Sequence, residues 1–200
     1  MAEITVPLPD ELRLDNLELS SPAQVNRSIW TGRRKVVGLS GTAVWRGSVS
    51  ITDIATEEEE RQWRAFIFAL EGPQNSFRWP LPRNVHIGPR PLVNAASSDG
   101  NTLPLDGMTP NARILRAGQF ITVPLPSGHA RAVCLTADLV TNGSGQATAT
   151  FKPALNEVPA NNAAVETVAP YIPMSPVEPV MGLASSQGIS ATGFQVEEAM

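Results

Sequence analysis

Cysteine and histidine are scarce in this 200-residue chain, and their scarcity excludes several kinds of site. The single cysteine, Cys134, excludes an intramolecular disulfide and a cysteine-rich zinc site. The two histidines have no third ligand at a fixed spacing, so they predict no metal centre. No apolar run is long enough to span a bilayer. We therefore expect no metal, no cofactor and no insertion into a membrane.

Charge is also scarce. Charged residues make up 17% of the chain and the formal net charge is −4, which predicts no general affinity for nucleic acid. This charged fraction is low for a free-standing enzyme, and the uncharged surface that it implies would suit a large assembly interface. The hydrophobic content of 42% is enough for a buried core. We find no secretory signal pattern, and expect synthesis in a cytoplasm and a soluble product.

One stretch is typical of a helix, over residues 56–71. Thr56 can accept a hydrogen bond from the backbone of Glu59 while the Glu59 side chain reaches back, which is a capping box. Gly72 and Pro73 form a stop signal. An apolar stripe with helical spacing is predicted to face the core; its members are Trp63, Phe66, Ile67 and Leu70.

The remaining sequence favours β-structure. Residues 44–51 alternate, with Trp45, Gly47, Val49 and Ile51 on one face. Further strands are predicted at 26–30, 35–39, 76–79 and 131–140, and at the C-terminal end, where Phe194 and Val196 are the expected buried members. Residues 1–25 read as an extended arm. Trp30 and Trp79 face either the core or a neighbouring subunit, and the core is the more common place for a tryptophan.

The pattern of turns divides the chain into an outer and an inner part. Four prolines between residues 80 and 91 mark one seam, and residues 156–164 mark a second. The short strands between them, joined by an Asn-Gly turn at 142–143, predict a small β-barrel. A lone C-terminal strand needs a partner. We therefore predict one mainly β domain from residues 1–81 and 156–200, carrying the helix, with residues 82–155 inserted as a module.

Three groups of residues are possible chemical sites, and each is better explained as an ordinary strand or turn. His129 and Cys134 are expected on opposite faces, so they form no nucleophilic dyad. Asp99, Asn101 and Asp106 lack the spacing and the final glutamate of a calcium loop. The basic cluster "TGRRK" at 31–35 reads as an exposed turn, although it could face DNA in a lumen. The sequence thus predicts no catalytic, cofactor-binding or metal-binding residue and no enzyme.

Several stretches together resemble the distal tail proteins of long-tailed (siphophage-type) phages and of phage-derived gene transfer particles. They are "LRAGQFITV", "RAVCLTADLVTNGSGQATATFKPAL", "VETVAPYIPM" and the terminal "FQVEEA". The resemblance covers residues 28–200 approximately. It implies a β-sandwich or barrel like that of tail-tube proteins, with the helix against one side, interrupted by an inserted small β-barrel of the OB-like kind.

The resemblance also implies a role. Such a chain would be a structural virion protein that forms a six-fold ring and joins the tail tube to the tail tip, hub or baseplate. Its partners would be copies of itself, the tail tube protein and the hub or tip protein, with the tape measure protein and DNA passing through the lumen. It would be assembled in the host cytoplasm and lie at the distal end of the tail. Residues 7–22 are the segment expected to reach an adjacent ring.

Two other functions stay open from the sequence. One is a tail tube or tail terminator protein built on a similar β-domain, although the inserted module favours the distal position. The other is a carbohydrate-binding tail module that adsorbs to the host. Such a module needs an exposed aromatic platform, and residues 82–155 contain only Phe120 and Phe151 as large aromatics.

Overall fold

The computed structural model describes residues 1–38, 42–51, 54, 56–86, 88–94, 100–179 and 192–199. It confirms the predicted fold class, which is mainly β with one α-helix and with sheets that are barrel-like or curled. The helix α1 spans Glu57–Leu70. Short 3-10 turns lie at Pro9–Glu11 and Gly72–Gln74.

The strands are numbered in chain order. In the first half they are β1 Leu12–Leu14, β2 Glu18–Ser20, β3 Ala23–Arg27, β4 Arg34–Gly38, β5 Val44–Ile51, β6 Phe77–Pro80 and β7 Leu92–Val93. In the second half they are β8 Thr102–Asp106, β9 Arg113–Leu115, β10 Phe120–Pro124, β11 Ala130–Leu135, β12 Leu139–Val140, β13 Ala147–Lys152, β14 Tyr171–Pro176 and β15 Thr192–Glu198.

A six-stranded sheet combines strands from both ends of the chain. Its order is β1-β5-β15-β14-β6, and β2 also pairs with β5. All its pairings are antiparallel, and the register of β5 with β15 places Val49 opposite Phe194. Phe194 and Val196 are buried, as predicted for the last strand. As predicted, the C-terminal strand β15 has partner strands. One of them is β5, which lies in the first half of the chain.

The helix begins and ends where its sequence signals lie. The backbone N–H of Glu59 donates to Thr56 Oγ1 at 3.2 Å, and the N–H of Thr56 donates to Glu59 Oε2 at 2.9 Å. Glu71 takes a left-handed conformation at φ 51°, and Gly72 follows at φ 64°. The predicted stripe of Trp63, Phe66, Ile67 and Leu70 is buried.

Edge-to-face aromatic pairs connect this stripe to the six-stranded sheet. The ring centroids of Trp63 and Phe66 are 5.5 Å apart, those of Phe66 and Phe77 5.6 Å, and those of Phe77 and Phe194 6.4 Å. Such arrangements place a positive ring edge against a negative ring face. Trp45 and Val49 belong to the same buried cluster. The helix therefore covers the face of the sheet that the alternation in β5 predicted.

The middle of the chain forms a second sheet with its own core. Its order is β10-β11-β13-β8-β7, and β9 pairs with β12 beside it. At the turn between β12 and β13, the side chain of Asn142 accepts hydrogen bonds from the N–H groups of Ser144 and Gln146. Ala163 and Val165 hydrogen-bond to β7 and to Pro91 before it, and Glu166 hydrogen-bonds to Thr122, so the chain leaves this sheet after residue 166, just beyond the predicted seam at 156–164.

The two sheets touch through specific polar contacts. Trp45 Nε1 donates to the carbonyl oxygen of Ala132 at 2.8 Å, and Thr122 Oγ1 donates to the carbonyl oxygen of Tyr171 at 2.7 Å. Ala132 is part of the core under the helix although it lies on β11. The division of the chain into two separable domains stays a prediction.

Three local expectations were wrong. The strand expected at 26–30 ends at Arg27, because residues 28–33 form a turn. The arm expected at 1–25 is not an extended arm: β1 and β2 pair with β5, and Leu12 is buried. The strand expected at 131–140 is broken after Leu135, and residues 136–138 are exposed. The strand expected at 35–39 is present as β4, and residue 39 lies outside the described residues. The contact of residues 7–22 with an adjacent ring stays a prediction.

Candidate interaction surface

The hairpin of β3 and β4, defined here as residues 23–38, is the most exposed element that the structure describes. Its strands pair only with each other, from Ala23 opposite Gly38 to Arg27 opposite Arg34. All ten strand residues are exposed. An isolated two-stranded hairpin is marginally stable in water. This hairpin therefore extends from the body without the packing that stabilises the other strands.

The hairpin tip is a defined turn that presents two large apolar side chains. The N–H groups of Ser28 and Gly32 donate to the carbonyl oxygens of Arg33 and Ser28, both at 2.9 Å, and Gly32 adopts φ 66°. Ile29 is 96% exposed and Trp30 is 95% exposed. Of the two places expected for Trp30, the core is therefore wrong, and contact with a neighbouring subunit stays a prediction. The reason is topological: β3 and β4 never enter the six-stranded sheet whose face the helix covers.

The hairpin is also strongly basic. Residues 21–38 contain Arg27, Arg33, Arg34 and Lys35 and no acidic residue. Arg27 and Arg34 are direct cross-strand partners. Like charges in that arrangement destabilise a strand pair. The predicted basic cluster at 31–35 is thus exposed, as expected, at the turn and the start of β4. A bound anionic surface would relieve the repulsion between Arg27 and Arg34.

An apolar groove lies elsewhere on the body, between the N-terminal segment and the edge of the six-stranded sheet. Its volume is about 420 Å³. Its apolar lining comes from Ile4, Val6, Pro9, Leu12, Pro80 and Tyr171. At its rim, Arg78 Nε donates to Glu3 Oε2 at 2.9 Å, and the Arg78 guanidinium stacks 4.3 Å from the centre of the Tyr171 ring. The groove is in the volume range of sites that accept a small molecule or a large side chain.

A buried ion pair lies where the two sheets meet. Arg131 is 1% exposed and Glu198 4%, and Arg131 Nε is 3.8 Å from Glu198 Oε1. Glu198 Oε2 accepts from the backbone N–H of Trp45 at 3.2 Å, and Arg131 Nη2 donates to the carbonyl oxygen of Ala43. Burial raises the pKa of Glu198 to about 7, against the attraction of Arg131. Burial also lowers the pKa of Arg131. The pair links β11 of the middle sheet to β15 of the outer sheet.

The histidines and the cysteine do not form a site in the described part of the chain. His129 lies in the turn between β10 and β11, and no hydrogen bond joins it to Cys134 among the described residues. The Cys134 thiol is half-buried and burial raises its pKa, which disfavours the reactive thiolate. His86 Nδ1 is 2.6 Å from Thr167 Oγ1, and burial lowers its pKa.

The other sequence candidates are likewise dispersed. Asn101 immediately precedes β8, Asp106 is the last residue of that strand, and Asp99 lies outside the described residues. Within the described residues, no three His, Cys, Asp or Glu side chains are placed to hold a metal ion. Phe151 is fully buried and Phe120 packs against Trp45, so neither contributes a sugar-binding platform. No helix in the described part of the chain is long and apolar enough to cross a membrane.

Sequence reasoning missed the surface formed by the hairpin tip. It treated residues 26–30 as a strand and the cluster at 31–35 as a separate turn. The available signal was the run "NRSIWTGRRK", in which a serine, a threonine and a glycine surround two apolar residues and then three cations. Such a run is typical of a turn that presents its apolar residues to a partner.

Comparisons with known proteins add no assignment: no family model matches the chain, and no curated protein matches it.

Proposed function

We propose that this chain is a structural protein of a phage tail, the distal ring that joins the tail tube to the tail tip, hub or baseplate. The observation that carries the proposal is the strand order of the six-stranded sheet, in which β15 and β14 from the end of the chain lie between β5 and β6 from its first half. The sequence resemblance implies that arrangement: one β-domain with a single helix, interrupted by a small β module.

The described surface supports an assembly role better than a catalytic one. The predicted chemical candidates are dispersed or inert, whereas large apolar side chains project from the hairpin. Monomeric proteins rarely leave such groups together in solvent, and exposed apolar clusters mark interaction sites. Identical subunits most often close their contacts into cyclic rings. The assembly that we propose is a ring of six copies of this chain.

Electron microscopy of the purified full chain tests the proposal. Negative-stain class averages are expected to show closed rings, and particles produced without this chain are expected to have tails that lack a tip and fail to attach. Intact infectious tails without it would contradict the proposal, as would a purified chain that stays monomeric at every concentration. Saturable binding of an oligosaccharide by the monomer would instead favour the adsorption module.

A further inference from the structure

The hairpin tip needs a partner with two properties, an apolar cavity and negative charge. Ile29 and Trp30 supply apolar surface, and aromatic residues are enriched among the residues that dominate interface energies. Arg27 and Arg34 face each other across the hairpin and favour an anionic surface. Within its own chain, the hairpin tip packs into no apolar cavity and against no acidic surface, because Ile29 and Trp30 are almost fully exposed.

The first twenty residues of the same chain have the complementary charge. They contain five acidic residues and one arginine, a net charge of −4, whereas residues 21–38 carry +4. Asp10, Asp15 and Glu18 are exposed. This acidic segment also builds one wall of the apolar groove, through Ile4, Val6 and Leu12. Glu3 lies in the groove lining, where it pairs with Arg78, and Asp10 follows the lining residue Pro9, so the groove offers apolar surface beside acidic side chains.

We propose that the hairpin tip of one copy of this chain docks into the N-terminal groove of a second copy. Trp30 and Ile29 enter the apolar cavity beside Tyr171 and Pro80, and the hairpin cations lie against the acidic N-terminal segment. Because the donor and acceptor surfaces differ, the donor keeps its groove free and the acceptor keeps its hairpin free, and repetition of the contact closes a ring when the rotation between copies closes. The inference rests on the proposed ring and names the contact that forms it.

The observations favour this partner over nucleic acid. A phosphate backbone would satisfy the cations, but it would leave Ile29 and the opposed pair Val25 and Val36 in solvent. The rest of the chain carries −8, because the net charge is −4 and the hairpin contributes +4. A body of that charge repels a polyanion and attracts the hairpin of another copy.

Sedimentation velocity of the full-length chain tests the hairpin side. Trp30→Ala is expected to weaken association by at least about tenfold in Kd, the usual effect of truncating a tryptophan anchor. Phe68→Ala is the matched control, because Phe68 is an aromatic residue on the helix that is 62% exposed; its Kd should stay within about twofold of the wild type. Arg33→Glu with Arg34→Glu should also weaken association, and adding Asp10→Lys with Asp15→Lys should restore it.

Disulfide trapping in a Cys134→Ser background tests the groove side. Chains with Trp30→Cys are mixed with chains carrying Thr5→Cys, a groove residue, and oxidised. A mixed disulfide dimer is expected, whereas Phe68→Cys with Thr5→Cys should give none. Circular dichroism of each variant confirms that it is folded.

The outcomes separate this inference from the proposed function. Rings that persist in Trp30→Ala, or trapping that occurs equally with the Phe68→Cys control, would overturn the inference and leave the ring in place. A wild-type chain that never associates would overturn both. A monomer whose hairpin binds single-stranded DNA, with binding lost in the Arg33→Glu and Arg34→Glu chain, would replace the second copy by nucleic acid.

Discussion

At the scale of single residues, Trp63 is the largest fully buried side chain in the described part of the chain. It is fully buried, packs edge-to-face with Phe66, and its Nε1 donates to Glu11 Oε2 at 2.6 Å. We expect Trp63→Ala to lower the free energy of unfolding by about 3–5 kcal/mol, because it creates a cavity in the core and removes the donor to the part-buried Glu11 carboxylate. Chemical denaturation measures it. Phe68→Ala on the exposed face should cost less than about 0.5 kcal/mol, and equal losses would contradict the buried stripe.

Glu198 should make stability depend on pH. Its pKa is about 7 in the folded chain and about 4.5 in the unfolded chain, so the folded state binds more protons between these values. The stabilisation that Glu198 contributes is therefore fully present below about pH 4.5. It falls by about 3 kcal/mol as the pH rises to about 7, and it does not change further above that pH. Arg131→Met should raise the pKa of Glu198 further, because it removes the attraction that opposes burial.

Thermal melts between pH 4.5 and 8 measure this contribution. Glu198→Gln is expected to flatten the decline, since no carboxyl titrates at that position. Glu197→Gln is the matched control, because the side chain of Glu197 is 41% exposed and pairs with Arg46 at the surface. A decline that survives Glu198→Gln, or that disappears in Glu197→Gln, would show that another group is responsible.

At the scale of elements, the turn between β12 and β13 depends on Gly145, because its position leaves no room for a side chain. Gly145 adopts φ 72°, and a Cβ there would lie 2.2 Å from the carbonyl oxygen of Met108. Gly118 adopts φ 86° in open space. We expect Gly118→Ala to cost about 1 kcal/mol from backbone strain alone, and Gly145→Ala about 2–4 kcal/mol because the clash adds to it. Urea denaturation compares them, and equal costs would show that the turn yields to the extra methyl group.

The elements also show what sequence can predict. The helix carried its own cap, its apolar stripe and its stop signal, so its limits and its buried face could be read locally. The alternation in β5 likewise gave the correct face. The hairpin could not be placed, because a strand pattern does not show which sheet the strand joins. Trp30 looked like a core residue for that reason: burial depends on long-range pairing, and β3 pairs only with β4.

At the scale of the whole molecule, the sequence indicated that the two chain ends share a sheet, because a terminal strand needs a partner. It did not show that the two sheets share polar contacts. Those contacts join residues far apart in sequence, such as Trp45 with Ala132 and Arg131 with Glu198, and no local pattern encodes them. The candidate interaction surface was missed for the same kind of reason, since exposure is a property of the folded chain.

These contacts between sheets predict that the molecule unfolds as one unit. Thr122 is the best position to test, because its Oγ1 donates to the Tyr171 carbonyl oxygen at 2.7 Å and accepts from the Tyr171 N–H at 2.8 Å. Scanning calorimetry of the full chain should show a single transition whose calorimetric and van't Hoff enthalpies agree.

Thr122→Val removes both hydrogen bonds and leaves the part-buried N–H and carbonyl groups of Tyr171 without this partner, so we expect a loss of about 2–4 kcal/mol that moves the whole transition. Thr150→Val is the control, because that threonine lies exposed on β13 and its hydroxyl makes no contact between the sheets. If the six-stranded and five-stranded sheets were independent, Thr122→Val would split the curve or shift only part of it. In that case the middle sheet would be a separable module, and the contacts between Trp45, Ala132, Arg131 and Glu198 would be too weak to couple it to the rest.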